Sequence, residues 1–193
     1  MNVFNKIAPL YGRFFDYQEK YFAKIIEKVR PEFDISQYES VLDVGCGTGA
    51  FLSVVEDMGL KTSGADSSEA MIKQARKKLK GKNTDLTLVK AGEKLPFRDK
   101  SFDIVFASYV AHGLSPEERI GLYREMRRMA REYVIIHDYN DKRAIHTSIV
   151  EWLERGDYFN FIRVAEGEVA MVFPSVKKIN VDKRAAWYIC RVK

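Results

Sequence analysis

Residues 41–52, Val-Leu-Asp-Val-Gly-Cys-Gly-Thr-Gly-Ala-Phe-Leu, constrain the fold of this chain more than any other stretch. Val41, Leu42 and Val44 suit a strand buried on both faces. Gly45, Gly47 and Gly49 let the backbone turn sharply and approach a ligand closely. Phe51, Leu52, Val54 and Val55 resume at helical spacing, and Gly59 is placed to end that helix. A strand, a glycine loop and a helix in this order predict a nucleotide-type cofactor site at the end of a parallel sheet. The loop also satisfies the looser dinucleotide pattern, with Gly45, Gly47 and Ala50 at G-x-G-x-x-A spacing.

Asp43 narrows the choice. A carboxylate inside an apolar strand is costly to bury unless something pairs with it. A nicotinamide dinucleotide brings a pyrophosphate to this end of the strand, which an aspartate repels. S-adenosylmethionine brings an ammonium and a sulfonium, with no phosphate. The other reading of Asp43 is that it accepts hydrogen bonds from the glycine loop itself. Residues 61–66 read as a second strand ending in Asp66, after which Ser67 or Ser68 caps a helix to about residue 79. Asp66 lies 17 residues beyond Gly49, where an acidic group accepts from both ribose hydroxyls, or it is a plain helix cap.

The run Asp-Val-Gly-Cys-Gly-Thr-Gly at 43–49 resembles the first motif of class I S-adenosylmethionine-dependent methyltransferases. Residues 91–105, Ala-Gly-Glu-Lys-Leu-Pro-Phe-Arg-Asp-Lys-Ser-Phe-Asp-Ile-Val, are similar to the A-E-x-L-P-F-x-D-x-S-F-D-x-V run of the subgroup that includes quinone-biosynthesis enzymes. That subgroup carries an aspartate two positions before the glutamate, for the adenine amino group, and here the position is Ala91. The backbone at Ala91 and Gly92, or the Glu93 side chain, must serve instead. The family's Lys-Pro-Gly-Gly turn before the fifth strand is also missing. The resemblance implies an α/β, Rossmann-like three-layer sandwich with a seven-stranded, mostly parallel sheet and an antiparallel C-terminal strand pair. It implies S-adenosyl-L-methionine as cofactor, contacted by Asp43, Gly45, Cys46, Gly47, Gly49, Asp66, Ser67, Met71, Ala91, Gly92, Glu93, Ser108 and Tyr109. It also implies an N-terminal lid over the cofactor, to which Tyr11 is matched.

The rest of the chain is read as one domain, with a lid and helix in 1–30 and the core in 38–193. Tyr21, Phe22, Ile25, Ile26 and Val29 share one face of a helix over 18–29, which Pro31 ends. Tyr11, Phe14 and Phe15 precede it, as lid or as core. Strands are expected at 85–91, 102–108 and 132–138. Ser115-Pro116-Glu117-Glu118 starts a helix with a capping box, and Ile120, Tyr123, Met126 and Met129 face inward along it. Helical patterns follow after Asp138 to about residue 155 and over 158–173, then two strands at 175–182 and 185–192.

The residues exclude several chemistries. No apolar run approaches the roughly 20 residues that cross a bilayer. Cys46 and Cys190 are the only cysteines, which suits a reducing cytosol, so a cytoplasmic location is expected. His112, His137 and His146 have no zinc-ligand spacing. Asp138, Asn140 and Asp141 suggest a Mg²⁺ site, but helix capping is the better reading, and no metal is expected. No Asn/Asp-Pro-Pro-aromatic run and no Pro-Cys pair is present, which disfavours amino methylation of adenine in DNA and pyrimidine-C5 chemistry. The net charge of +5 gathers at 73–82, 124–131 and 177–184, without an aromatic-basic RNA motif. His112, after the fourth strand, is the candidate general base, or else a packing histidine. Tyr109 shapes the substrate pocket or packs. The expectation is methyl transfer to a small molecule. Alternatives are an RNA or protein methyltransferase of the same fold, a nicotinamide-dependent oxidoreductase, and a cofactor-binding module without catalysis.

Overall fold

A computed structural model describes residues 14–141 and 158–193. The chain divides into two compact units between Pro96 and Phe97.

In the first unit, α1 (Phe15–Val29) buries Phe15, Phe22, Ile25, Ile26 and Val29. Their spacing places them on one face, and Phe22 meets Phe51 edge-on at 5.5 Å. The helix starts three residues before the expected 18, so Phe15 belongs to the core rather than to a lid, while Phe14 is exposed. Residues 1–13, with Tyr11 and the rest of the expected lid, lie outside the described residues. Strand β1 (Ser40–Val44) leads through the glycine loop into α2 (Ala50–Asp57). Gly49, at φ +83°, is the N-cap of α2, a conformation that suits glycine alone. Strand β2 (Lys61–Asp66), helix α3 (Glu69–Lys78) and strand β3 (Thr84–Leu88) follow. Both β1–β2 and β2–β3 are parallel, with Asp43 opposite Gly64 and Gly64 opposite Leu86. Strand β3 stops at Leu88, short of the expected 91, because its last partner on β2 is Asp66.

In the second unit, β4 (Phe102–Ser108) is buried over its centre, as its apolar run predicts. A 3-10 turn, Ala111–Gly113, separates it from α4 (Pro116–Met129). The Ser115 hydroxyl accepts from the Glu118 N–H while the Glu118 carboxylate accepts from the Ser115 N–H, closing the capping box. Tyr123, Met126 and Met129 are buried as expected, but Ile120 is only half-buried and Arg119 is the fully buried residue beside it. Burial of that cation is possible because Glu168 takes it in a two-pronged pair, Nε to Oε2 at 2.6 Å and Nη2 to Oε1 at 2.8 Å. Glu168 is on α5 (Tyr158–Val172).

Strand β5 (Ala130–Tyr139) begins directly after α4 and is longer than the expected 132–138. Asp138 is a strand residue as expected, opposite Ala186, and Tyr139, opposite Ala185, is one too, so the helical pattern read after Asp138 does not begin there. The remainder of that expectation, 142–157 with His146, lies outside the described residues. Strands β6 (Ser175–Asn180) and β7 (Ala185–Arg191) complete the unit. Strand β4 runs parallel to β5, whereas β7 runs antiparallel to β5 and to β6. The strand order is β3-β2-β1 in the first unit and β4-β5-β7-β6 in the second, seven strands that are mostly parallel with an antiparallel C-terminal pair and flanking helices. Among the described residues, no helix is long and apolar enough to cross a membrane.

Candidate functional site

The first unit places its candidates at the C-terminal ends of β1 and β2. Gly45 and Cys46 donate their N–H groups to the Ala65 carbonyl at 2.7 and 3.1 Å, and Gly49 donates to Cys46 at 2.9 Å. Gly47 donates to Asp66 Oδ2 at 2.8 Å, while Asp66 Oδ1 accepts from the Ser68 N–H at 2.8 Å. The loop is thus closed by bonds to β2 and within itself. Asp43 is 2% exposed, and among the described residues no donor reaches its Oδ1. The alternative in which the loop satisfies that oxygen is not the arrangement found. Burial, and then the neighbouring Asp66, push the Asp43 carboxyl well above the usual carboxylate range. Asp66 is raised too, by burial, against the lowering pull of the N–H groups of Ser68, Gly47 and Ser67. Cys46 is buried, and its thiol is pushed up by burial and by the same two aspartates.

The other candidates of this unit differ in setting. Ser68, not Ser67, caps α3, its hydroxyl accepting from Met71 N–H at 3.2 Å, and Ser67 is exposed. Met71 is buried in the core of the unit. Ala91, Gly92 and Glu93 form an exposed turn with Gly92 at φ +77°, and Glu93 lies 3.5 Å from Lys90.

The second unit gathers a separate cluster at the ends of β4 and β5. Ser108 ends β4 half-buried, and the next residue, Tyr109, is exposed with φ +51°. The 3-10 turn then presents His112, whose side chain is 12% exposed. Fully buried Asp138 organises this turn. Its Oδ2 accepts from the N–H groups of Ala111 and His112 at 3.0 and 3.2 Å. Its Oδ1 accepts from Tyr139 N–H at 2.8 Å and lies 2.8 Å from His112 Nδ1. Because the carboxylate is an acceptor, Nδ1 carries the proton and Nε2 is the basic nitrogen of the neutral ring.

Sequence reasoning treated Asp138 as a cap or a metal-ligand candidate and missed this contact. The one signal for it was a His-Asp pair interrupting the apolar run of β5, at the same end of the sheet as Ser108. Asn140, another presumed cap, lies 3.3 Å through Nδ2 from Asn180 Oδ1 and 3.5 Å from the Ala185 carbonyl, so it braces the β6–β7 hairpin. His137 is a different kind of histidine. It is fully buried, its Nδ1 accepts from Trp187 Nε1 at 2.9 Å, and burial lowers its pKa to about 4.

A methyltransferase-domain family profile matches residues 41–132. This match and the likenesses that follow support a class I S-adenosylmethionine-dependent methyltransferase. It is 34% identical over 138 residues to the malonyl-[acyl-carrier protein] O-methyltransferase of Legionella pneumophila, covering 67% of this chain and 47% of that one. It is 36% identical over 114 residues to the tRNA U34 carboxymethyltransferase of Shewanella oneidensis, covering 56% of this chain and 34% of that one. A solved protein of Pyrococcus horikoshii OT3 shares its fold with a TM-score of 0.71 at 25% identity, over 87% of this chain and 89% of that one. The chain thus spans half or less of the length of these two curated methyltransferases.

S-adenosyl-L-methionine is the cofactor of this family, and the first unit fits it. The orphaned Asp43 oxygen suits an ammonium, whereas a pyrophosphate would add a third negative group to Asp43 and Asp66. Asp66 keeps acceptor capacity for a hydroxyl, since each carboxylate oxygen takes two donors and the N–H groups of Gly47, Ser68 and Ser67 fill three of those places.

Proposed function

We propose that this methyltransferase acts on a small-molecule acceptor whose attacking atom carries a removable proton, with His112 as general base. The contact between His112 Nδ1 and the buried Asp138 carboxylate carries this reading. A packing histidine needs no buried carboxylate that also fixes its loop through two backbone N–H groups. When bound, the cofactor supplies an electrophilic methyl group on a sulfonium. Asp43 would hold its ammonium, Asp66 its ribose hydroxyls, and the glycine loop its close approach. The matched residues Cys46, Ala91, Gly92, Glu93, Ser108 and Tyr109 are further contacts under this reading. Nε2 would take the proton from the acceptor and so free the lone pair that receives the methyl group the cofactor would supply. The proton ends on the imidazole, and Asp138 stabilises the resulting cation. We take the two units to act as one methyltransferase domain in the cytosol, where the buried thiols of Cys46 and Cys190 stay reduced.

The basic residues favour a small acceptor over a nucleic acid. Lys82 is paired with Glu56 and Asp57, Arg128 with Glu125 and Asp99, Arg131 with Asp103, and Lys178 with Glu166 and Asp141. Cations already engaged by carboxylates have less charge to offer a phosphate backbone. Labelled S-adenosylmethionine with a metabolite extract identifies the acceptor. With that acceptor, His112→Ala should slow transfer by about 10²–10⁴-fold and leave cofactor affinity nearly unchanged. Unchanged turnover would remove His112 from the mechanism, and label passing to RNA but to no metabolite would overturn the acceptor class.

A further inference from the structure

Tyr109 is one of two non-glycine residues in the described chain with positive φ, at +51°. An aromatic side chain in the left-handed region is strained, and glycine or asparagine takes that conformation at lower cost. The residue is also 37% exposed. Strain and an exposed ring both work against stability, and strained residues of this kind cluster at ligand-binding positions. The backbone is fixed in this state by the Tyr109 N–H, which donates to the His137 carbonyl at 2.8 Å.

The ring is thereby carried to the His112–Asp138 pair. It stands edge-on to His137 at 4.8 Å, to Tyr139 at 5.2 Å and to His112 at 6.2 Å. Tyr139 meets the His112 ring at 4.8 Å and 75°, and Phe161 approaches it at 6.5 Å. The base therefore sits in a collar of three aromatic rings, one of them from the exposed residue Tyr109. Rings arranged edge-to-face bind another ring better than a saturated skeleton of the same size. The base itself points the same way. A phenolic hydroxyl, with a pKa of about 10, is within range of an imidazole–carboxylate pair.

We propose that Tyr109 and Tyr139 are the acceptor-selecting walls of this site, and that the acceptor is a planar aromatic ring bearing the hydroxyl that is methylated. The proposal rests on His112 being the base. On transfer the phenolic O–H bond breaks, its proton passes to Nε2, the oxygen–methyl bond forms, and the carbon–sulfur bond of the donor breaks with its electron pair returning to sulfur.

Titration of the full chain, saturated with S-adenosylhomocysteine, against 2-naphthol and against its saturated counterpart decahydro-2-naphthol tests this, with the ring resonances of His112 and Tyr109 followed by NMR. The aromatic probe should bind at least ten-fold more tightly and shift both residues. Tyr109→Gly should cut that preference at least five-fold with no fall in melting temperature, because glycine tolerates the backbone conformation. Tyr109→Phe should keep the preference, and Tyr139→Leu should reduce it independently. Equal affinity for the two probes, no binding of either, or a preference that survives Tyr109→Gly overturns the proposal. The two readings fail separately. An aromatic preference with transfer indifferent to His112→Ala sinks the base and keeps the collar. His112-dependent transfer to a saturated alcohol does the reverse.

Discussion

At the scale of single residues, Asp43 decides what the glycine loop is for. A buried carboxyl raised by burial and by Asp66 suits the folded chain best when protonated. The sign of its pH dependence follows. Its contribution to stability is full below the unfolded value near 3.8 and is lost as pH rises through the higher folded value. Deprotonating Asp43 in the ligand-free protein therefore costs stability as pH rises, and a bound cation would offset that cost. Asp43→Asn removes the charge and keeps the shape. The melting temperature of ligand-free Asp43→Asn should rise relative to the unmutated protein as pH goes from acid to alkaline. Its affinity for S-adenosylmethionine should fall by about 10- to 150-fold, the worth of ~1.5–3 kcal/mol for a charged hydrogen bond. Melting curves across pH, with and without ligand, measure both. A stability gap that shrinks with rising pH, or an unchanged affinity, would show that Asp43 faces no cation.

At the scale of elements, the close approach of β2 to its neighbours depends on Gly64. A Cβ there would meet Leu52 Cδ1 at 2.7 Å, Cys46 Sγ at 2.9 Å and Leu86 Cδ2 at 3.0 Å. Each of these atoms has some freedom, but three must move together in a packed interior. Gly64→Ala should destabilise the protein by about 1–3 kcal/mol, read as a lower urea midpoint at unchanged slope. A midpoint equal to that of the unmutated protein would mean the layer is looser than its contacts imply.

Elements of this chain were legible where their signals are local. The box at Ser115 and Glu118 fixed the start of α4, and the positive-φ glycines fixed the loop after β1, because both need only neighbours within a few positions. The pairs that build the second cluster are not local. His112 and Asp138 are 26 residues apart, and Arg119 and Glu168 are 49 apart. Which side chains meet at such separations depends on strand register and helix packing. An arginine on the buried face of α4 reads as a solvated charge until its partner is located. Tyr139 was assigned to a helix because apolar spacing there fits either period, and pairing with Ala185 settles it as strand.

At the scale of the molecule, the legible and illegible parts divide along the chain. The family profile covers residues 41–132, which holds the glycine loop, Asp66 and His112. Asp138, Tyr139 and Phe161 lie beyond it. The residues proposed to hold the donor thus fall within the matched stretch, and much of the collar around His112 belongs to the part of the chain the profile does not match. That is why the cofactor was readable from sequence while the acceptor was not.

The central claim is that the first unit is built for a cationic methyl donor rather than for a pyrophosphate. Calorimetric titration of the unmutated protein with S-adenosylmethionine, S-adenosylhomocysteine and NAD tests it most directly. The account predicts saturable binding of the first two, both of which carry the ammonium and the ribose, and no binding of NAD. Saturable binding of NAD with none of S-adenosylmethionine would contradict it.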